Sequence, residues 1–255
     1  MDHLSPESID LLDVGGDVLA RGGEPTLQCP LADAVTLAAC CQVNAPISLL
    51  VAGPGLDGEL PLDELRGVLG PLVHTFTVKD VESVSSVLEW HPSEATGMLA
   101  ATARGVRGTC EMQDAGLPVP LTDEGPTVHE VDLDEALSRN ELARVITATT
   151  TLDEVGALSR EICGYSEIDY ERNKAAWLKE QPPVKPDPEA VLSQLDQFQF
   201  EAEARNRGIT HTTFRRITEA LNLNGSLRED LRQLLINSRP EQYGAPLWRI
   251  TSTPE

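Results

Sequence analysis

The stretch "LLDVGGDVLARGGE", residues 11–24, runs from an aliphatic tract into two adjacent glycines and a carboxylate. With Ile9 and Asp10 in front it reads as a buried β-strand, Ile9 to Val14, closed by a turn that glycine takes without steric cost. The next segment, "LADAVTLAACC" at 31–41, places Leu31, Val35, Leu37 and Ala38 on one helical face. Ile47 to Ala52 and Val73 to Val78 repeat the short aliphatic pattern with turn residues behind them, and read as two further buried parallel strands. Strand, helix, strand, helix in this order predicts an α/β fold, a mostly parallel, Rossmann-like doubly wound sheet.

Farther along, Ser86 to Trp90 reads as another strand. Ser93 then caps a helix that runs to about Arg104 and stops at Gly105. Two extended pieces, Thr109 to Gln113 and Thr127 to Leu133, bracket a proline-rich loop with Pro118, Pro120 and Pro126, and are expected at sheet edges. After Asp134 the texture turns helical, with Thr151 and Glu154 at the spacing of a reciprocal first-turn cap. Gln181 to Pro188, "QPPVKPDP", is stiff enough to be a linker. Helices are expected over Pro188 to Arg207, His211 to Asn222 and Leu227 to Ser238. The organisation is therefore an α/β small-molecule-binding domain over 1–180, a linker at 181–188, and a helical C-terminal extension over 189–255.

Composition narrows the function classes. Of 255 residues, 40% are apolar, 24% charged and only 4% aromatic, so a soluble core of Leu, Val and Ala is expected. The formal charge of -21 is concentrated early, with 23 acids against 5 bases in residues 1–136. A polyphosphate backbone would be repelled, and nucleic acid is discounted as a partner. No apolar run reaches the roughly 20 residues that span a bilayer, so no membrane partner is expected. Five cysteines without Cys-x-x-Cys spacing fit a reduced compartment, and with no recognisable leader the expectation is cytoplasmic.

Ligands of parallel sheets collect beyond the carboxyl ends of strands, where both glycine clusters fall. Gly15 and Gly16 allow close backbone approach, and Asp17 suits a hydroxyl, an amine or Mg2+, with Asp13 as a second metal candidate and Glu24 nearby. The plainer reading is a tight turn capped by Asp17. The second cluster, Gly53-Pro54-Gly55-Leu56-Asp57-Gly58, satisfies G-x-G-x-x-G, and Asp80 follows Gly58 by 22 residues, as a ribose-binding acid would. Pro54 removes an amide donor, however, and Asp57 sets negative charge where pyrophosphate would sit. Recognition of a sugar hydroxyl, an amine or a metal by Asp57 and Glu59 fits better than a dinucleotide. "EWHPSEATG", at 89–97, offers His91 and Glu94 as a proton-transfer pair and Ser93 with the helix start as a ligand contact. A histidine before proline is also a common packed bystander.

The combination "LLDVGGDVLARGGEPTLQCPLADAVTLAA", "LVAGPGLDGEL" and "EWHPSEATGMLAATARGVRG" resembles an uncharacterised family of archaea and actinobacteria, the domain-of-unknown-function family 1152. The family's Gly-Gly-(x)-Asp turn followed by Arg-Gly-x-Glu is carried here by Gly15, Gly16, Asp17, Arg21, Gly22 and Glu24, and its second glycine turn by Gly53, Gly55 and Asp57. Similarity covers about Leu11 through Leu178. Longer relatives begin with a further strand, glycine-rich turn and acid, a nucleotide-site-like opening this chain lacks. The resemblance thus implies a homo-oligomer or a partner subunit supplying that N-terminal portion. The expected function is an enzyme or enzyme subunit for a small polar metabolite, with Mg2+ or a nucleotide as candidate cofactor, in actinobacterial specialised metabolism. The alternative is a noncatalytic assembly subunit.

Overall fold

The computed structural model describes residues 6–28, 30–88, 93–112, 117–180, 187, 190–191, 200–221, 223 and 227–250. They form two compact units, Met1–Thr75 with Thr127–Pro182, and Phe76–Pro126 with Pro183–Glu255. The units are interleaved in sequence, because residues 76–126 leave the first unit and the chain afterwards returns to it.

The first unit is built on β1 (Ile9–Val14), β2 (Ile47–Ala52), β3 (Leu72–Thr75) and β6 (Thr127–Val131), in the order β1-β2-β6-β3. β1 and β2 lie where the aliphatic pattern places them and pair in parallel, Ile9 opposite Ile47 and Val14 opposite Ala52. The sheet is mixed rather than mostly parallel, since β6 runs antiparallel to both β2 and β3. Thr127 to Leu133, expected at an edge, is an interior strand only as far as Val131, and Leu133 already begins a helix. The cause is where the excursion ends: the Phe76 amide donates to the Pro126 carbonyl (2.8 Å) and the Gly53 amide to the Thr127 carbonyl (2.9 Å). A strand that starts where β2 and β3 finish must run against both.

Helices α1 (Pro30–Cys40), α2 (Leu62–Leu65), α6 (Leu133–Arg139), α7 (Glu141–Ile146), α8 (Leu152–Cys163) and α9 (Glu167–Glu180) complete this unit. Leu31, Leu37, Leu49, Val51, Leu142 and Ile146 belong to its core. On α1 the buried stripe takes Ala34 rather than Val35, which is 44% exposed. The Thr151–Glu154 reciprocal cap forms at the start of α8 as expected.

The second unit holds β4 (Gly108–Met112), β5 (Leu117–Leu121), β7 (His211–Thr212), β8 (Tyr243–Gly244) and β9 (Leu247–Arg249), in the order β5-β4-β7-β9-β8. Around them lie α3 (Val78–Glu82), α4 (Ser85–Leu88), α5 (Glu94–Ala103), α10 (Phe200–Asn206), α11 (Phe214–Ala220) and α12 (Arg228–Ser238). Several expectations change here. Val73 to Val78 shortens to β3, exposed at all four positions, because Thr77 and Asp80 cap each other and start α3. Ser86 to Trp90 is helical as far as Leu88, which packs with Val81, Ala100 and Ala103, and Glu89 and Trp90 lie outside the described residues; tertiary contact overrides the β-preference of Val87. The proline-rich loop contains β5, an edge strand with Pro118 and Pro120 exposed and Val119 and Leu121 buried. An edge tolerates proline because its outward-facing amides need no partner.

The tail is not simply helical. It adds β7, β8 and β9, and the Phe214 and Trp248 rings meet edge-on at 5.9 Å within a core that includes Ile217, Leu231 and Leu235. Within β7, burial and then Arg249 lower the pKa of His211 from 6.5. A base whose folded pKa is depressed stays neutral while the unfolded chain takes up a proton, so its stabilising contribution is lost as pH falls below 6.5 toward the folded value. Urea titrations are expected to show wild-type protein losing stability over that window relative to His211→Gln. Parallel pH profiles would contradict the assignment. Among the described residues, no helix is long and apolar enough to cross a membrane, and Cys40, Cys41, Cys110 and Cys163 are thiols.

Candidate functional site

Parallel pairing brings the carboxyl ends of β1 and β2 side by side, so the two glycine turns begin as neighbours. The Gly55 amide donates to the Gly15 carbonyl at 2.6 Å. Gly15 has φ +127°, and a Cβ there would stand 2.1 Å from Asp57 Oδ2. Only a residue without a side chain lets this backbone lie against that carboxyl group. Asp57 joins the loops: Oδ2 accepts from the Asp17 amide (3.2 Å) and Oδ1 from the Glu59 amide (2.9 Å). Glu59 is buried and ties down a third segment, its Oε2 accepting from the Gln28 amide at 2.7 Å. Glu24 closes its own turn by accepting from the Arg21 and Gly22 amides, which gives the Arg-Gly-x-Glu pattern a structural role.

Asp13, at the end of β1, and Asp17, in the 3-10 turn Asp17–Leu19, are buried together. A third acid joins them that the sequence reading did not single out. Asp33, in the first turn of α1, offers a carboxylate oxygen within 4.8 Å of those of Asp13 and Asp17. Its signal was available: 33 lies one turn before buried Leu37, so an acid occupies a core-facing place in an apolar stripe.

Electrostatics mark the group as unusual. Burial, then the charges of Asp33 and Asp57, raise the Asp13 carboxyl well above the ordinary range, while the Gly16 and Val18 amides pull it back. Asp17 is pushed up to about 12, by burial first and then by Asp13, Asp33, Asp57 and Glu59. Asp33 is raised by burial, partly offset by a hydrogen bond with Asp17. Asp57 is raised to about 7, mainly by burial, against its two amide donors. The charges acting on these four groups are acidic, so the cluster favours bound protons or bound cations.

The dinucleotide reading meets a specific obstacle. In Gly53 to Gly58, the amides of Gly53, Gly55, Leu56 and Gly58 already donate to Thr127, Gly15, Gly53 and Gly55 carbonyls. A pyrophosphate cradle needs such donors turned outward. Asp80, the candidate ribose acid, instead belongs to the second unit and caps α3.

Glu94 lies in the second unit, where Oε1 accepts from the Thr213 hydroxyl and Oε2 stands 3.7 Å from Arg215 Nη1. Ser93 caps α5, its Oγ accepting from the Thr96 amide at 3.2 Å. His91 and Glu89 fall outside the described residues. Ser93→Ala is expected to cost about 1 kcal/mol, the usual loss for a helix cap, measured by urea unfolding. A variant as stable as wild type would show that the cap is not needed to hold α5.

The fold and site together define a two-unit α/β protein with a buried carboxylate cluster at the ends of paired parallel strands. The chain belongs to the family described as protein of unknown function (DUF1152), whose model matches residues 1–175, a span that includes both glycine turns and Asp33. No curated protein and no solved structure matches it.

Proposed function

We propose that the chain is an enzyme, or an enzyme subunit, that binds a small polar metabolite at the ends of β1 and β2 through hydroxyl or amine groups. One observation carries this reading: two glycine turns converge and surround Asp13 and Asp17 with acids rather than with counter-charges. Buried carboxylates cost several kcal/mol each unless a donor or a cation meets them. A hydroxyl or ammonium ligand supplies what the cluster lacks, whereas a bare phosphate would add to the repulsion. Gly15, Gly16, Gly53 and Gly55 shape the turns, Asp57 and Glu59 brace them, and Asp17 orients the ligand.

Native mass spectrometry of freshly purified protein tests the reading, followed by thermal-shift measurements with amines, polyols and amino sugars. A retained or stabilising polar ligand, weakened by Asp17→Asn, is the expected result. Wild-type protein that carries none and responds to none would overturn it.

The second reading, a noncatalytic assembly subunit, is favoured by the terminal strands of the first sheet. Leu12 on β1 is 48% exposed, and Leu72 and Val73 on β3 are 56% and 49% exposed. Unpaired strand edges with exposed aliphatic side chains invite a second copy or a partner chain. Light scattering of the pure protein separates the two readings. A monomer that turns over substrate would dispose of the assembly role.

A further inference from the structure

We infer that Asp13, Asp17 and Asp33 form a binding site for one hard divalent cation, of the Mg2+ or Ca2+ class. The inference deepens the reading of the strand-end cluster as a ligand site by naming a resident ion, and it stands on geometry.

The first observation is the arrangement itself. Three carboxylates from three different elements, β1, the 3-10 turn and α1, bring ligand oxygens within 4.8 Å of one another. Oxygens bound to one Mg2+ or Ca2+ lie roughly 3 to 5 Å apart, from metal–oxygen distances of about 2.1 and 2.4 Å. The span already present is therefore that of a first coordination shell.

The second observation is independent of the first. Asp13 is 7% exposed, and its Oδ2 has no hydrogen-bond partner among the described residues. The Gly16 and Val18 amides act on this carboxyl group, yet its Oδ2 stays unpartnered. An orphaned buried carboxylate oxygen is costly, and a metal ion is one of the few partners that satisfies it completely.

Ligand chemistry selects the ion. All three donors are carboxylate oxygens, with no histidine or cysteine in the group, which suits Mg2+, Ca2+ or Mn2+ over Zn2+ or Cu2+. Asp33 is only half-buried. Three protein oxygens with the remaining positions left to water or to a ligand's own oxygens is an ordinary arrangement for such ions. An ion held there would present a positive charge beside the glycine turns and let an anionic or polyhydroxylated metabolite approach an otherwise acidic surface.

The test uses full-length protein stripped with a chelator and dialysed. Isothermal titration and thermal melts are run with Mg2+, Ca2+ and Mn2+ chlorides, against NaCl at matched ionic strength. One saturable site per chain and a raised melting midpoint are expected with at least one of the three ions, and no comparable shift with Na+. Asp33→Asn, half-buried in the first turn of its helix, should fold normally by circular dichroism yet bind roughly tenfold or more weakly, because a neutral amide oxygen replaces an anionic ligand. Asp13→Asn should abolish binding, and Asp10→Asn, exposed on the same strand, should leave it unchanged. The inference is overturned by any of three results: no saturable site in wild-type protein, Asp33→Asn binding as tightly as wild type, or Asp10→Asn weakening binding equally. Metabolite binding that persists in chelator-treated protein while no cation binds would sink the ion and leave the proposed function standing. Cation binding without any metabolite would do the reverse.

Discussion

Gly15→Ala is expected to destabilise the first unit by about 3 kcal/mol or more, from backbone strain of about 1–3 kcal/mol and overpacking of about 1–3 kcal/mol. The added Cβ would lie 2.1, 2.3 and 2.5 Å from Oδ2, Cγ and Cβ of Asp57. Those atoms cannot swing aside cheaply, because both oxygens of Asp57 are held by the Asp17 and Glu59 amides. The backbone adds its own cost, since φ of +127° is a region that side chains disfavour. Two compensations are open to the variant: breaking the Asp57 link between the turns, or shifting β1 against β2. Either disorders the neighbourhood of Asp17, so ligand or cation affinity should fall along with the urea midpoint. Gly23→Ala is the control, because nothing lies within 4 Å of its added Cβ and its φ is unremarkable. Equal midpoints for the two variants would mean that the turns do not depend on contact between Gly15 and Asp57.

Glu111→Ala should have a comparable effect on the second unit. Glu111 is fully buried on β4, and its Oε1 accepts from Arg207 Nη2 and from Arg216 Nε, each at 2.8 Å. The two arginines sit at the end of α10 and on α11, so one carboxylate joins these two tail helices to the sheet. Removing one member of a buried ion group leaves the remaining charge poorly compensated, at about 3–5 kcal/mol. The Arg207 side chain is 45% exposed and recovers water, so the lower end of that range is expected. Arg216, at 16%, carries most of the loss, although it also lies over the Phe200 ring at 5.6 Å. Glu111→Gln, which keeps the volume and an acceptor oxygen, should lie between wild type and alanine. Calorimetry that finds Glu111→Ala as stable as wild type would show that the salt bridges do not hold the tail.

Much of the site's location was readable from residue order, because its determinants are local. An aliphatic run followed by Gly-Gly-Asp announces a strand end wherever it occurs, and β1 and β2 formed over the expected residues. The cap at Ser93 and the reciprocal pair at Thr151 and Glu154 were equally legible, since each is complete within four residues. The family resemblance carried by those motifs agrees with the match over residues 1–175. What escaped was non-local or short. Asp33 is an ordinary first-turn acid until α1 lies against the 3-10 turn at Asp17, and β7 and β8 are two residues each, too brief to show alternation.

Sequence alone determined where β1 and β2 lie, where glycine was required, and that the region beyond β2 would be acidic, because hydrophobic period, backbone permissiveness and charge are properties of neighbouring residues. Only the tertiary structure decided that β6 runs backward between β2 and β3, that the tail joins residues 76–126 in a second sheet, and that Asp33 meets Asp13 and Asp17. Strand direction and the company a carboxylate keeps depend on where the chain returns after a long excursion, and that is set by the packing of segments far apart in sequence.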